Sequence, residues 1–385
     1  MATSDLLTPV APEEKWHPYF KALLTRRSLA PACDKLREVW AAFPNPDNHF
    51  EFEFQTTHLD ARIWELYIFA VGLYGPMRVL RPYESPDFLF QRDDLGLGVW
   101  VEAVTANPSE KYADEPAPKT VEEMQRQMHE VIPIRLGSPL YSKLQKKYWE
   151  LPHVAGMPLV IAIGDYSEND PLRRNDISLV RYLYGSDDKV VSLPGEYVKL
   201  EHLKVETHET GDKKIPSGYF ELPGAENISA VIFSNEGTIP KFKRMAFDFE
   251  KYPFVRMIRS GTCVDFDPTA TYPKAFGYLV GDAPEDWGHG VYVYHNPNAK
   301  HPIPLSFFKG IGGQHCIRDG VADNEFRDFS PFAALTITFE AKPGEDRLRV
   351  SDDALRAFAR KKTMQLEELL KRELEFHAWR DKLLK

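Results

Sequence analysis

The chain has 385 residues, enough for two to three domains, and 43% of them are hydrophobic, 27% charged and 12% aromatic. That mix belongs to a folded globular protein and excludes disorder as the main state. The net charge of −9, from 48 basic and 57 acidic residues, excludes a surface that meets polyanions everywhere, so any nucleic-acid contact must be a local patch. Three scattered cysteines, Cys33, Cys263 and Cys316, with no CxxC, exclude a four-thiolate zinc site. The start Met1-Ala2-Thr3-Ser4-Asp5 lacks the basic and apolar regions of a leader, and no apolar run approaches the ~20 residues of a membrane span. The expectation is a cytoplasmic protein with reduced thiols and no membrane partner.

In chain order, Glu13–Leu24 and Ala32–Ala42 carry apolar residues at helical spacing, and the turn Phe43-Pro44-Asn45-Pro46-Asp47 closes a helical segment, residues 1–56. Leu59, Ile63, Leu66, Tyr67, Ala70 and Val71 mark a strong helix that ends near Gly72 and Gly75. Three short strands follow at Met77–Leu80, Asp87–Gln91 and Gly98–Thr105, the last two joined as a hairpin through Arg92–Gly96. Helices are expected at Val121–Val131 and Ser138–Leu151, and the apolar run Pro158–Ile163 reads as a buried strand. Residues 57–165 thus form one unit. Residues 166–350 are a mixed, β-rich region with a buried strand at Ser229–Ser234 and short alternating runs at Gly290–Tyr294 and Ala334–Glu340. Residues 351–385 read as a helix of about 50 Å, capped by Ser351 with Asp352 and Asp353 in its first turn. Its stripe of Leu355, Phe358, Leu366, Leu369 and Leu370 is expected to cover the body or to form a homodimer.

The informative chemistry is Asp87 at the start of one hairpin strand and Glu102 in its neighbour. Two carboxylates on one sheet edge suit Mg²⁺, which takes hard oxygen ligands and keeps several waters. Acids at strand ends are also common without function. The order of elements, together with Ala61-Arg62-Ile63-Trp64-Glu65-Leu66-Tyr67, Pro86-Asp87-Phe88 and Val101-Glu102-Ala103, resembles the PD-(D/E)XK, or restriction-endonuclease-like, nuclease superfamily over under a third of the chain. The resemblance implies an α/β (α+β) fold, with a mixed sheet flanked by helices. It implies a metal-dependent nuclease acting on nucleic acid, DNA before RNA, with Mg²⁺ or Mn²⁺ held by Asp87, Glu102 and the Ala103 carbonyl and assisted by Glu65. The motif lysine would fall at position 104, where this chain has Val104. Lys143 is the first replacement and Lys147 the second, both beside the apolar stripe Leu140, Leu144, Tyr148 and Leu151 of the following helix. Without a replacement, the fold would be an inactive recognition subunit.

Lys241, Lys243, Arg244, Lys251, Arg256 and Arg259, interleaved with Phe242, Phe247, Phe249, Tyr252 and Phe254, form a basic concentration between Pro240 and Ser260. It is the expected phosphate-contacting patch, with an ordinary solvated face as the alternative. His289, His295, His301 and His315 do not share the spacing of a metal site on a helix or strand, and Gly310-Ile311-Gly312-Gly313 is a turn, without the context of a dinucleotide loop.

Overall fold

The computed structural model describes residues 5–44, 49–107, 120–166, 175–192, 198–267, 270, 273–318 and 321–383. The architecture is mixed α+β, with a multi-stranded mixed sheet flanked by helices and a long terminal helix. The chain forms two compact units, each discontinuous in sequence. One comprises Met1–Val71, Glu236–Gly290 and Phe326–Lys385, and the other Gly72–Asn235 and Val291–Glu325. Linear segments ending at residues 56, 165 and 350 therefore do not trace these units. Residues 236–350 contribute to both, because strands far apart in sequence pair with each other. Among the described residues, no helix is long and apolar enough to cross a membrane.

The second unit is built on eight strands in the order Arg78–Leu80, Phe88–Arg92, Leu97–Ala106, Leu159–Asp165, Ala230–Ser234, Tyr292–His295, Gly313–Arg318 and Val321–Glu325. The first three run antiparallel, and Leu97–Ala106, Leu159–Asp165 and Ala230–Ser234 run parallel. Every residue of Leu159–Asp165 and Ala230–Ser234 is buried, which is why both read as continuous apolar runs rather than alternating ones. The hairpin turns at Gly96, whose φ of +61° suits glycine, and the Arg92 guanidinium grips the Asp94 carboxylate through two hydrogen bonds of 2.8 and 2.6 Å.

Between the hairpin and Leu159–Asp165 the helical run differs from the sequence expectation. Val121–Arg126 continues through a π-helical turn, Gln127–Val131, into a helix over Ile132–Gln145. Pro133 sits in the first turn of that last segment, where no intrahelical N–H is needed. Pro139 lies inside it, and the preceding Ser138 hydroxyl donates to the Ile134 carbonyl at 2.5 Å. Gly137 brings the helix onto Tyr182, for a Cβ there would lie 2.6 Å from the ring. The helix stops short of Leu151 because Lys147 turns into the left-handed region, φ +51°.

The first unit holds the helices Pro18–Thr25, Ala30–Ala42, Phe50–Gln55 and most of Leu59–Leu73. It also holds a three-stranded antiparallel sheet in which Val255–Cys263 lies between Lys274–Leu279 and Pro331–Glu340. The terminal helix Asp352–Leu383 packs Leu355 and Ala359 onto Ile258 and Leu279, with Phe358, Ile337 and Phe339 around them. Leu366 is buried, whereas Leu369 is 54% exposed, so the leading half of the apolar stripe is spent within the chain. Gly277 permits the close approach, since a Cβ there would fall 2.5 Å from Thr363 Oγ1. Leu355→Ala should destabilise this unit by ~2–5 kcal/mol, the range for emptying a buried leucine site, as read by chemical denaturation.

Candidate functional site

The hairpin register pairs Phe88 with Val101, and one further step sets Asp87 opposite Glu102. Asp87 Oδ2 accepts a hydrogen bond of 2.7 Å from the Ala103 backbone N–H, so the carboxylate continues the ladder where the strand Phe88–Arg92 ends. The residue opposite Ala103 is Pro86, which has no N–H to offer the Ala103 carbonyl. Arg81, almost fully buried, places a guanidinium nitrogen 3.7 Å from Asp87 Oδ1 and thereby offsets part of its charge.

Glu102 is buried and receives two donors on a single oxygen. Lys143 Nζ lies 2.6 Å and the Tyr148 hydroxyl 2.7 Å from Oε1. Burial, then the charge and hydrogen bond of Glu102 and the charge of Asp87, hold the Tyr148 phenol well above its ordinary range, with Ser85 acting in the opposite sense. Tyr148 is therefore a protonated donor at any working pH. By sequence it reads as a member of the apolar stripe, since a tyrosine at helical spacing carries no mark of a polar partner. Neither it nor Arg81 is legible as a site residue from its own neighbourhood in the chain.

Lys143 thus reaches the acid from the following helix. Lys147 does not. The left-handed turn at Lys147 swings its side chain off the helix, where it is 56% exposed and 3.7 Å from Glu150. Glu65 belongs to the first unit and is paired with Arg62 at 2.8 Å, while Arg62 also donates from Nε to Glu53 at 2.9 Å.

The basic stretch requires a correction: four of its six cations are interior, while Lys251 alone is largely exposed, paired with Asp34 at 2.8 Å. Lys241, Lys243, Arg244 and Arg259 are all buried. Lys241 bonds Glu285 at 2.8 Å and Arg259 bonds Glu236 at 2.7 Å, while Arg244 contacts both acids. Lys243 donates to Thr338 Oγ1 at 2.8 Å, and burial lowers its amine to about 8. Arg256 is tied to Asp352 at 3.0 Å and lies over the Phe249 ring. The physical reason is that Glu236 and Glu285 pair with Lys241, Arg244 and Arg259, so those three charges are answered internally and not by solvent.

All three cysteines are buried and free. Burial, the largest effect, pushes the Cys33 and Cys263 thiols up to about 11, so they stay protonated and unreactive at neutral pH. Among the described residues no group of three or more His, Cys, Asp or Glu side chains is placed to hold a metal ion. Comparison of the chain with protein-family models, with curated proteins and with solved structures finds no match.

Proposed function

We propose that the unit carrying the eight-stranded sheet is a Mg²⁺-dependent phosphodiesterase that cleaves nucleic acid, DNA before RNA. The observation that carries this reading is the Lys143–Glu102 contact of 2.6 Å: a cation stands beside the second strand acid although position 104 is valine. The run of three antiparallel strands followed by a parallel one, reached through a helix, supports the same reading.

The donors suit the ion. Asp87 and Glu102 supply two hard, charged oxygens and Ala103 a carbonyl, and Mg²⁺ is commonly held by one or two carboxylates with waters and substrate phosphate completing its shell. Bound there, the ion would polarise the phosphate and lower the pKa of a water. The protein's own groups do the rest. Lys143 and Tyr148 both engage Oε1 of Glu102, which fixes the carboxylate plane and, among the described residues, leaves Oε2 to a metal ion or water. The Lys143 ammonium, one quarter exposed, can orient the attacking water and offset charge building on the phosphate. A second reading, an inactive nuclease fold serving as a recognition subunit, takes the same contact as a permanent ion pair.

Labelled DNA and RNA incubated with Mg²⁺, Mn²⁺ or chelator separate the two. Cleavage should require the metal, and Asp87→Asn and Glu102→Gln should each lower the rate by at least ~10²-fold and weaken Mg²⁺ binding in calorimetry. A variant that cuts like the parent removes its residue from the site. A parent that never cuts but binds nucleic acid is the recognition subunit.

A further inference from the structure

The loop before Asp87, Arg81-Pro82-Tyr83-Glu84-Ser85-Pro86, is stiffened by two prolines and carries an aromatic stack. The Tyr83 ring lies 3.8 Å from His153, nearly parallel to it at 12°, and His153 meets Trp100 edge-on at 5.1 Å. Two ring nitrogens of the stack find backbone acceptors. His153 Nε2 donates to the Ser85 carbonyl at 2.9 Å, and Trp100 Nε1 donates to the His153 carbonyl at 3.0 Å. Trp100 is 2% exposed and Tyr83 48%, and Tyr83 also meets Trp100 at 6.0 Å, so a buried anchor and His153 hold a ring that is about half open to solvent.

This stack adjoins the acid pair. Trp100 and Glu102 project from the same side of one strand, two residues or about 7 Å apart. Ser85, which accepts from His153, is two residues from Asp87 and its side chain acts on Tyr148, the donor to Glu102. An aromatic face packed on one side, four residues from Asp87 in the chain, suits a flat ring better than a phosphate. Inside a duplex each base already has neighbours on both faces, whereas an unpaired base can gain a protein ring, and such stacking tolerates any base.

We infer that Tyr83 is a stacking platform for an unpaired nucleobase, so that the substrate class of this site is single-stranded nucleic acid. The choice of nucleic acid rests on the nuclease reading above, but binding can be measured apart from cleavage. The experiment is fluorescence anisotropy of the full chain, in Ca²⁺, with a short labelled single-stranded DNA, the same strand bearing abasic residues, and a blunt duplex. The parent should prefer the single strand. Tyr83→Ala should weaken that binding roughly tenfold or more, Tyr83→Trp should preserve it, and the Tyr83→Ala penalty should vanish on the abasic strand. Unchanged far-ultraviolet dichroism and melting would exclude collapse of the loop as the cause.

Affinity within twofold of the parent for Tyr83→Ala, or equal parental affinity for duplex and single strand, overturns the inference. If Tyr83→Ala loses affinity while the parent never cuts, the platform stands and the nuclease reading falls. If the parent cuts and Tyr83→Ala binds and cuts equally well, the platform falls alone. A parent that binds neither strand overturns both.

Discussion

Glu236→Gln should destabilise the first unit by ~3–5 kcal/mol, the cost typical of breaking a buried ion pair from one side. Three cations, Lys241, Arg244 and Arg259, are enclosed with two carboxylates, Glu236 and Glu285. The cluster already holds one positive charge in excess, and removing Glu236 leaves three cations facing one anion. Arg259→Met has the opposite effect on the count, leaving two of each sign. Its unbranched side chain can also lie against Phe276 and Phe329, over which the guanidinium now sits. Arg259→Met should therefore cost clearly less than Glu236→Gln, and the double variant should regain part of the loss. Urea unfolding of the three proteins checks this ranking. If Arg259→Met is the worse variant, packing and not charge balance governs the cluster.

The pH dependence of the parent follows from the same groups. Burial would raise the Glu236 carboxyl, but Arg259, Arg244 and Lys241 outweigh it and bring it down to about 2 from 4.5. A depressed carboxylate stabilises the fold above its unfolded value, and that contribution is lost as pH falls from about 4.5 through about 2. Lys241 is lowered to about 8 from 10.5, chiefly by burial. Between those values the unfolded chain binds the extra proton, so stability should rise with pH from about 8 toward 10.5. Loss of Glu236 removes an anion that holds the Lys241 proton, so the penalty of Glu236→Gln should shrink between pH 7 and pH 9.

On the proposed reading, Lys143→Met should reduce cleavage by ~10²–10⁴-fold, the range for losing a positioned proton-handling or charge-stabilising group. Binding of Mg²⁺ should be retained or tightened, because the methionine removes a cation 2.6 Å from Glu102 and leaves both carboxylates in place. That split between rate and metal affinity separates Lys143 from Asp87 and Glu102, whose loss should lower both. Lys147→Met should change neither, since its side chain points to solvent and Glu150. Should Lys143→Met lower the unfolding midpoint while the parent shows no cleavage at all, the lysine serves only to neutralise a buried acid. Calorimetry and a cleavage time course on one preparation provide both readings.

Much of the sheet is a property of local sequence. Continuous apolar runs identify Leu159–Asp165 and Ala230–Ser234, and the polar turn ending at Gly96 joins Phe88–Arg92 to Leu97–Ala106 within a residue of the expected limits. Hairpin register is itself local, so the placing of Asp87 across from Glu102 is legible before any fold is known. The side of the helix from which Lys143 extends follows from periodicity alone.

What tertiary structure decides is which groups meet across long separations. Lys241, Arg244 and Arg259 read as surface charge because lysine and arginine are rarely buried. Their burial depends on Glu285, 44 residues beyond Lys241, and no local pattern announces such a partner. The hydrogen bond that Tyr148 donates to Glu102 joins residues 46 apart, and the stack of Tyr83 on His153 joins a proline-bounded loop to a turn 70 positions away. Helix Ile132–Gln145 runs past Pro139 although proline usually breaks a helix, and its packing against Tyr182 and Tyr219 is set elsewhere in the chain. Periodicity and turn chemistry are carried by neighbours in sequence, whereas charge compensation, side-chain stacking and helix tolerance are carried by neighbours in space.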